Sequence, residues 1–412
     1  MAHDELIERE DAVKRVLALR EDVFPDRSTE SVPLDAIDGR VLAEPVVTER
    51  DIPALSTATM DGFAFDATDD YPLVLIDEEV FPEDEPPRIG PGEGVRIATG
   101  APLPEGANAV LKREDATVED DRLSGDAIEP GTYVYGKGSN VTSGETLFRP
   151  GERLAPRDAI LLRDVGVERV SVRTRLSAGL LATGTEIHEG RSEDLDSPML
   201  AGLVRAWGHE ATFEGTAPDQ YETVEARISS IADSHDVVIT TGGTSVGKKD
   251  YVVRALAELG EVIFHGVLVR PGKPIAVARL PQHDAVAFAI PGKPVGAHTI
   301  ATAVARPFFT GETTLPAVEA RLARDVGIGR EGFEYWVPVS LDLSVEGPGS
   351  TPRYEAMPLG HVDSPLSVYD EVFNPSVLSQ STRATRADGF FVIEEGAEAG
   401  ETIRVVPYDA IA

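Results

Sequence analysis

The loop Thr241-Gly242-Gly243-Thr244-Ser245-Val246-Gly247-Lys248-Lys249-Asp250 holds the residue types that bind an anion: glycines, a hydroxyl, two lysines and a closing carboxylate. It follows the apolar run Val237-Val238-Ile239-Thr240 and precedes a helical pattern over 251–257. Strand, glycine turn and helix aim backbone N–H groups at a phosphate or another oxyanion. Three more glycine loops share this character: Ala182-Thr183-Gly184-Thr185-Glu186, Arg270-Pro271-Gly272-Lys273-Pro274 and Pro291-Gly292-Lys293-Pro294. Glycine lets backbone approach a ligand, and proline stiffens the turn. One such loop is as readily a plain turn; four beside predicted strands point to one site. Ser245 offers a hydroxyl, and Lys273 and Lys293 supply point charge for phosphate. Asp250 and Glu186 are the carboxylates suited to Mg²⁺, which takes carboxylate and phosphate oxygens.

Lysine is scarce elsewhere. The chain has seven lysines against thirty-one arginines, and four of the seven lie in loops between 241 and 294. Formal net charge is −33, from 71 acidic and 38 basic residues spread along the chain. Such a surface repels itself and depends on salt for compactness. With scarce lysine, it predicts a halophilic protein, working where the Debye length is about 3 Å at 1 M salt. The local lysines then mark an anionic small-molecule substrate. Nucleic acid is not an expected partner, because no long basic run exists.

Other chemistries are excluded or unsupported. Without cysteine there are no disulfides, thiolate metal sites or cysteine nucleophiles. The eight histidines form no H-E-x-x-H spacing. Ser245 lacks a G-x-S-x-G context, and neither a Walker A loop nor a Rossmann fingerprint is present. No stretch of about 18 apolar residues could cross a membrane. The acidic start, Met1-Ala2-His3-Asp4-Glu5, lacks a signal-peptide core. The expected location is the cytoplasm.

The elements that must position these loops read as a multidomain α/β plus β protein, since 412 residues exceed one ordinary core. A helix is expected over 8–24 and a turn at Asp38-Gly39. From about 46 to 136, short strands such as 71–76, 94–97 and 109–112 form a small β module, with an acidic hairpin near 115–121. From 176 to 313, strand-like runs (176–181, 237–240, 275–278, 285–290) alternate with helical ones (199–207, 221–231, 251–259, 295–305). That alternation predicts an α/β domain with a mostly parallel sheet, whose ligands sit at the carboxyl ends of the strands. From 314 onward, strands at 317–321, 335–340, 389–393 and 402–407 predict a C-terminal β domain.

These motifs in this order resemble one family. TGGTSVGxxDY, RPGKP and PGxPVGA are similar to the molybdopterin-binding α/β domain. Gly39-Arg40-Val41-Leu42-Ala43, Met60-Asp61-Gly62-Phe63-Ala64 and Arg96-Ile97-Ala98-Thr99-Gly100-Ala101-Pro102 resemble the GRVLAE, MDGYA and RIxTGAP segments of the molybdopterin molybdenumtransferase (MoeA, gephyrin E-domain) family. The resemblance covers nearly the whole chain. It implies four domains: 1–45 with 138–175, 46–137, 176–313 and 314–412. It implies a homodimer with a shared cleft, and an activity: insertion of molybdate or tungstate into adenylylated molybdopterin with Mg²⁺-assisted release of AMP. A molybdopterin adenylyltransferase is the implied partner. Asp61 and Thr99 would enter the cleft from the partner subunit as catalytic residues, facing Asp250 and Lys273. Gly184, Glu186, Gly242, Gly243, Ser245, Gly247, Arg270, Gly272, Pro274, Gly292 and Lys293 would line the pterin, phosphate and oxyanion region. Ser379 would lie near molybdate, and Asp250 with Glu186 would hold Mg²⁺.

The pattern also departs from the family. Thr185 replaces the aspartate of GDE, Asp196-Ser197-Pro198 replaces DxN, and Lys293 and Gly296 alter PGNPVS. A GED stretch is shortened to Thr142-Ser143-Gly144-Glu145, and Tyr335 stands where an arginine usually serves molybdate. Two alternatives to the active transferase follow: a weakened or non-catalytic paralogue that binds molybdopterin or a nucleotide, and a different enzyme on the same α/β domain. The MDG and TGAP segments speak against the latter.

Overall fold

The computed structural model describes residues 6–23, 27–243, 251–344 and 353–411. They fall into two compact units, Met1–Ser28 with Thr174–Ala412, and Thr29–Arg173. In the first, apolar strand runs build a six-stranded sheet in the order Glu210–Ala217, Ser177–Thr183, Val237–Thr241, Ala285–Ile290, Ala276–Leu280, Glu261–His265. The first three pairings are parallel and the last two antiparallel, so the sheet is mostly parallel, as expected, with Ala276–Leu280 alone reversed among its six strands. The reversal matters for the site. Ala276 begins its strand opposite Ala289, near the end of the neighbouring strand. The Arg270–Pro274 loop, which precedes a strand, therefore lies at the same edge as loops that follow strands.

Helices cover both faces. Tyr221–Ala232 and Tyr251–Leu259 bury Val224, Ile228, Val252 and Leu256 against one. Asp196–Ala206 and Pro294–Ile300 cover the other, which also receives Ala12, Val16 and Leu19 of the helix Arg9–Val23. That first helix packs on the segment 301–310 of this unit. It belongs to the compact unit that also holds Thr174–Ala412.

The C-terminal strands close on themselves. Glu334–Ser344 pairs with both Arg353–Pro358 and Gly389–Ile393, and Val318–Leu322 and Thr402–Pro407 complete a five-stranded ring. Closure leaves no free edges among these strands and encloses Leu322, Val337, Val339, Phe391 and Val405.

In the unit Thr29–Arg173, a six-stranded sheet contains Gly62–Phe65, Glu93–Ile97, Leu73–Val80 and Ala109–Lys112 and is buried on both faces. Its hairpin turns at Asp120 and Asp121, both in the left-handed region, at the acidic stretch expected to turn. A smaller core of Val32, Ile37, Leu42, Leu162 and Val172 joins the strand pair Thr29–Pro33 and Arg169–Arg173 to the helix Asp158–Asp164.

One buried histidine ties the α/β layers together. His209 Nδ1 accepts from the Leu176 amide at 3.1 Å, which places its proton on Nε2, 2.9 Å from the Phe309 carbonyl. Replacing His209 by alanine strands the buried Leu176 amide and leaves the Phe309 carbonyl only its 3.3 Å bond from Arg20 Nη1. Denaturant unfolding of His209→Ala at fixed salt should show a loss of about 2–4 kcal/mol.

Candidate active site

The loops converge at the carboxyl edge of the α/β sheet because their backbones have no side chains between them. Gly242, at φ +82°, follows the strand Val237–Thr241, and its amide donates to the Ile290 carbonyl at 3.0 Å. A Cβ there would stand 2.7 Å from the Thr183 carbonyl oxygen. A Cβ on Gly292 would stand 3.1 Å from Gly242 Cα. Three neighbouring strands thus end in backbone contact, and Gly242, Gly243 and Gly292 form a ridge with a hollow on each side.

The first hollow, about 410 Å³, is basic. Arg270, Lys273 and Lys293 line it, with Gly272, Pro274 and Ser379, and no carboxylate appears among its described lining residues. Lys273 is half-buried and Lys293 exposed. The Arg270 guanidinium lies over the Phe333 ring, 4.3 Å from its centroid, so its direction is fixed by stacking. Ser379 is buried; its hydroxyl donates to the Ser376 carbonyl at 3.0 Å, and its own carbonyl accepts from the Val295 amide at 3.1 Å. The second of these bonds joins the C-terminal domain to the start of the helix Pro294–Ile300. Such a set can take a tetrahedral oxyanion or a phosphate.

The second hollow, about 260 Å³, is acidic. Glu186, Glu193, Asp194, Asp196 and Asp219 line it, and no cation does among the described residues. Asp194 accepts from the amides of Asp196 and Ser197, capping the helix Asp196–Ala206. Asp219 accepts from the Thr185 amide at 3.3 Å, and its own amide donates to the Thr185 hydroxyl at 3.0 Å. Asp196 is 6% exposed, and its Oδ1 has no partner among the described residues. Burial first, then the neighbouring Asp194 charge, pushes its carboxyl up to about 6.

The expected residues therefore divide. Gly242, Gly243, Arg270, Gly272, Lys273 and Pro274 come together with Gly292, Lys293 and Ser379; Gly184 and Glu186 line the acidic side of the ridge. Ser245, Gly247 and Asp250 lie outside the described residues. Asp61 and Thr99 belong to the other unit, where they meet directly. The Thr99 amide and hydroxyl both donate to Asp61 Oδ1 at 2.7 Å. Those bonds, amide first, hold the exposed Asp61 carboxyl below its usual range. Tyr335 does not line a hollow. It is buried, with its hydroxyl donating to the Arg330 carbonyl at 2.8 Å and accepting from the Arg330 amide. Asp196 and Asp219 were missed as site residues. Asp219 follows the strand Glu210–Ala217 and precedes a helix, a signal available only once that strand is recognised.

Two titrations test these environments. Between the ordinary 3.8 and about 6, folded Asp196 keeps a proton that the unfolded chain has released, so its contribution lowers stability as pH rises through this window. Asp196→Asn should be neutral at pH 4 and stabilise by about 1–3 kcal/mol at pH 7, measured by urea unfolding. Thr99→Val removes one hydrogen bond to ionised Asp61, so carboxyl NMR titration should show the Asp61 pKa moving up.

Comparison with known proteins covers both units. Residues 7–166 match the MoeA N-terminal region (domain I and II), and residues 179–311 match a probable molybdopterin binding domain. The molybdopterin molybdenumtransferase of Synechococcus elongatus is 32% identical over 300 residues, 68% of this chain and 73% of that protein. The corresponding protein of Haemophilus influenzae is 29% identical over 290 residues, 66% and 70% of the two chains. The crystal structure of the molybdopterin biosynthesis MoeA protein of Pyrococcus horikoshii superposes with a TM-score of 0.71 at 28% identity, covering 98% of this chain and 99% of that one.

Proposed function

Since this chain belongs to the MoeA family of molybdopterin molybdenumtransferases, and is a transferase of molybdenum cofactor biosynthesis, we propose that it inserts molybdate or tungstate into adenylylated molybdopterin and releases AMP. The observation that carries this reading is the basic hollow: three cations and no carboxylate among its described lining residues, in a chain of net charge −33. Lys273 and Lys293 neutralise phosphate and oxyanion charge, and Arg270, stacked on Phe333, supplies the guanidinium that residue 335 does not. Positioning and charge neutralisation account for most of the catalysis of phosphoanhydride cleavage.

Mg²⁺ belongs to this proposal. No group of three metal-ligating side chains occurs among the described residues. Mg²⁺ bound through substrate phosphates needs only one or two carboxylates, and exposed Glu186 fits that requirement, with Asp250 as the second. When bound, the ion would offset charge on the leaving phosphate. Asp61, kept ionised by Thr99, would accept a proton or meet a cationic centre, entering from the partner subunit of a homodimer. The four-domain division and an adenylyltransferase as donor of the substrate complete the reading. So does a cytoplasmic, high-salt setting, which the acidic composition supports. No helix among the described residues is long and apolar enough to cross a membrane.

The test is AMP release and cofactor formation from adenylylated molybdopterin, molybdate and Mg²⁺ at high salt. Lys273→Gln should lower turnover by about 10²-fold or more, as expected when one preorganised charge is lost. Saturable binding without product would favour the non-catalytic reading. An undiminished rate in Asp250→Ala would remove Asp250 from the mechanism.

A further inference from the structure

The two hollows differ in sign, and they meet at a ridge of glycine backbone. For a ligand spanning the ridge, these charges fix the side its anionic part takes. Its phosphate or oxyanion end is attracted by Arg270, Lys273 and Lys293 and repelled by the five carboxylates opposite. Beside buried Asp196 the ligand must therefore present N–H donors and no negative charge, while exposed Glu186 is left for the Mg²⁺ proposed above.

Among the five carboxylates, Asp196 is the one the fold leaves without a structural task. Asp194 caps a helix and Asp219 ties two loops through Thr185, while Glu186 and Glu193 are exposed to solvent. Asp196 is 94% buried by difference from its 6% exposure, with Oδ1 lacking a partner among the described residues. Its Oδ2 faces the ridge, 3.9 Å from where a Cβ on Gly292 would stand. A desolvated carboxyl without a partner is costly to the fold, so its presence at a ligand hollow calls for a ligand donor.

We propose that the acidic hollow receives the 2-amino-4-oxo edge of the pterin, read by the Asp196 carboxyl, while the basic hollow holds the phosphate and oxyanion end. The 2-amino group and the adjacent ring N–H form a guanidine-like pair of donors, which suits a carboxyl acceptor. Glycine at 292 leaves room for that edge beside Oδ2. The assignment rests on the molybdopterin reading above.

The experiment measures equilibrium binding of three probes to the full chain at high salt: 6-hydroxymethylpterin, 6-hydroxymethyllumazine and molybdate. Lumazine carries an oxo group where the pterin has its 2-amino group. Wild type should prefer the pterin to the lumazine by about tenfold or more, the worth of one charge-assisted hydrogen bond. Asp196→Asn should lose about tenfold in pterin affinity and keep its molybdate affinity. Lys273→Gln should do the reverse. The lumazine comparison needs no variant, so a folding defect in Asp196→Asn cannot obscure the answer. Equal affinity for pterin and lumazine, or unchanged pterin affinity in Asp196→Asn, overturns the assignment while leaving the basic hollow intact. Failure of wild type to bind either pterin or molybdate overturns the molybdopterin reading itself.

Discussion

The site depends on a backbone contact. Gly242 and Gly292 end neighbouring strands and approach closely enough that a Cβ on either would meet main-chain atoms. The Gly242 amide is fixed to Ile290, and the Thr183 hydroxyl to the Thr241 carbonyl at 2.8 Å. The strand ends are thus joined by hydrogen bonds that no side chain interrupts. Because the sheet beneath is buried on both faces, the ridge rests on a rigid base. The two hollows are consequences of that ridge.

Charge then gives the two sides different roles. A chain of net charge −33 repels phosphate at long range. The local cations must overcome this, and the acidic hollow stands just across the ridge from them. In dilute salt the two fields overlap, and the carboxylates weaken the pull of Arg270, Lys273 and Lys293. At about 1 M salt the Debye length shrinks to about 3 Å, and each hollow acts on the groups that touch it. Salt thus separates the two fields without moving either set of side chains.

Much of this was legible in the sequence. Strand Ala285–Ile290 and helix Tyr251–Leu259 have the bounds their apolar patterns predict, because buried runs flanked by glycine or proline leave few alternatives. The convergence of Arg270, Lys273, Lys293 and Ser379 was foreseen through motifs, not through periodicity. Strand direction was not legible: Ala276–Leu280 runs antiparallel, and no local pattern distinguishes that. Glu210–Ala217 was missed because its burial pattern is mostly partial, with only Ala211 and Ala217 buried, as suits an edge strand. Its loss hid Asp219 and, with it, the acidic hollow. Asp196 was visible only as a departure from a motif, since burial and an unpartnered oxygen are properties of packing.

Asp61 and Asp196 show why residue type alone could not assign roles here. Two hydrogen bonds from Thr99 favour the ionised form of the exposed Asp61, whereas burial beside Asp194 favours the protonated form of Asp196. Near neutral pH the first is a fixed negative charge. The second, pushed up to about 6, is largely ionised there but carries its charge buried and without a partner among the described residues until a donor arrives. A ligand that brings N–H groups to Asp196 replaces lost hydration and draws the carboxyl toward its ionised form. A phosphate brought to the same place would do the opposite. Selectivity for one orientation therefore follows from desolvation as well as from the sign of the surrounding charges, and it needs no movement of the loops.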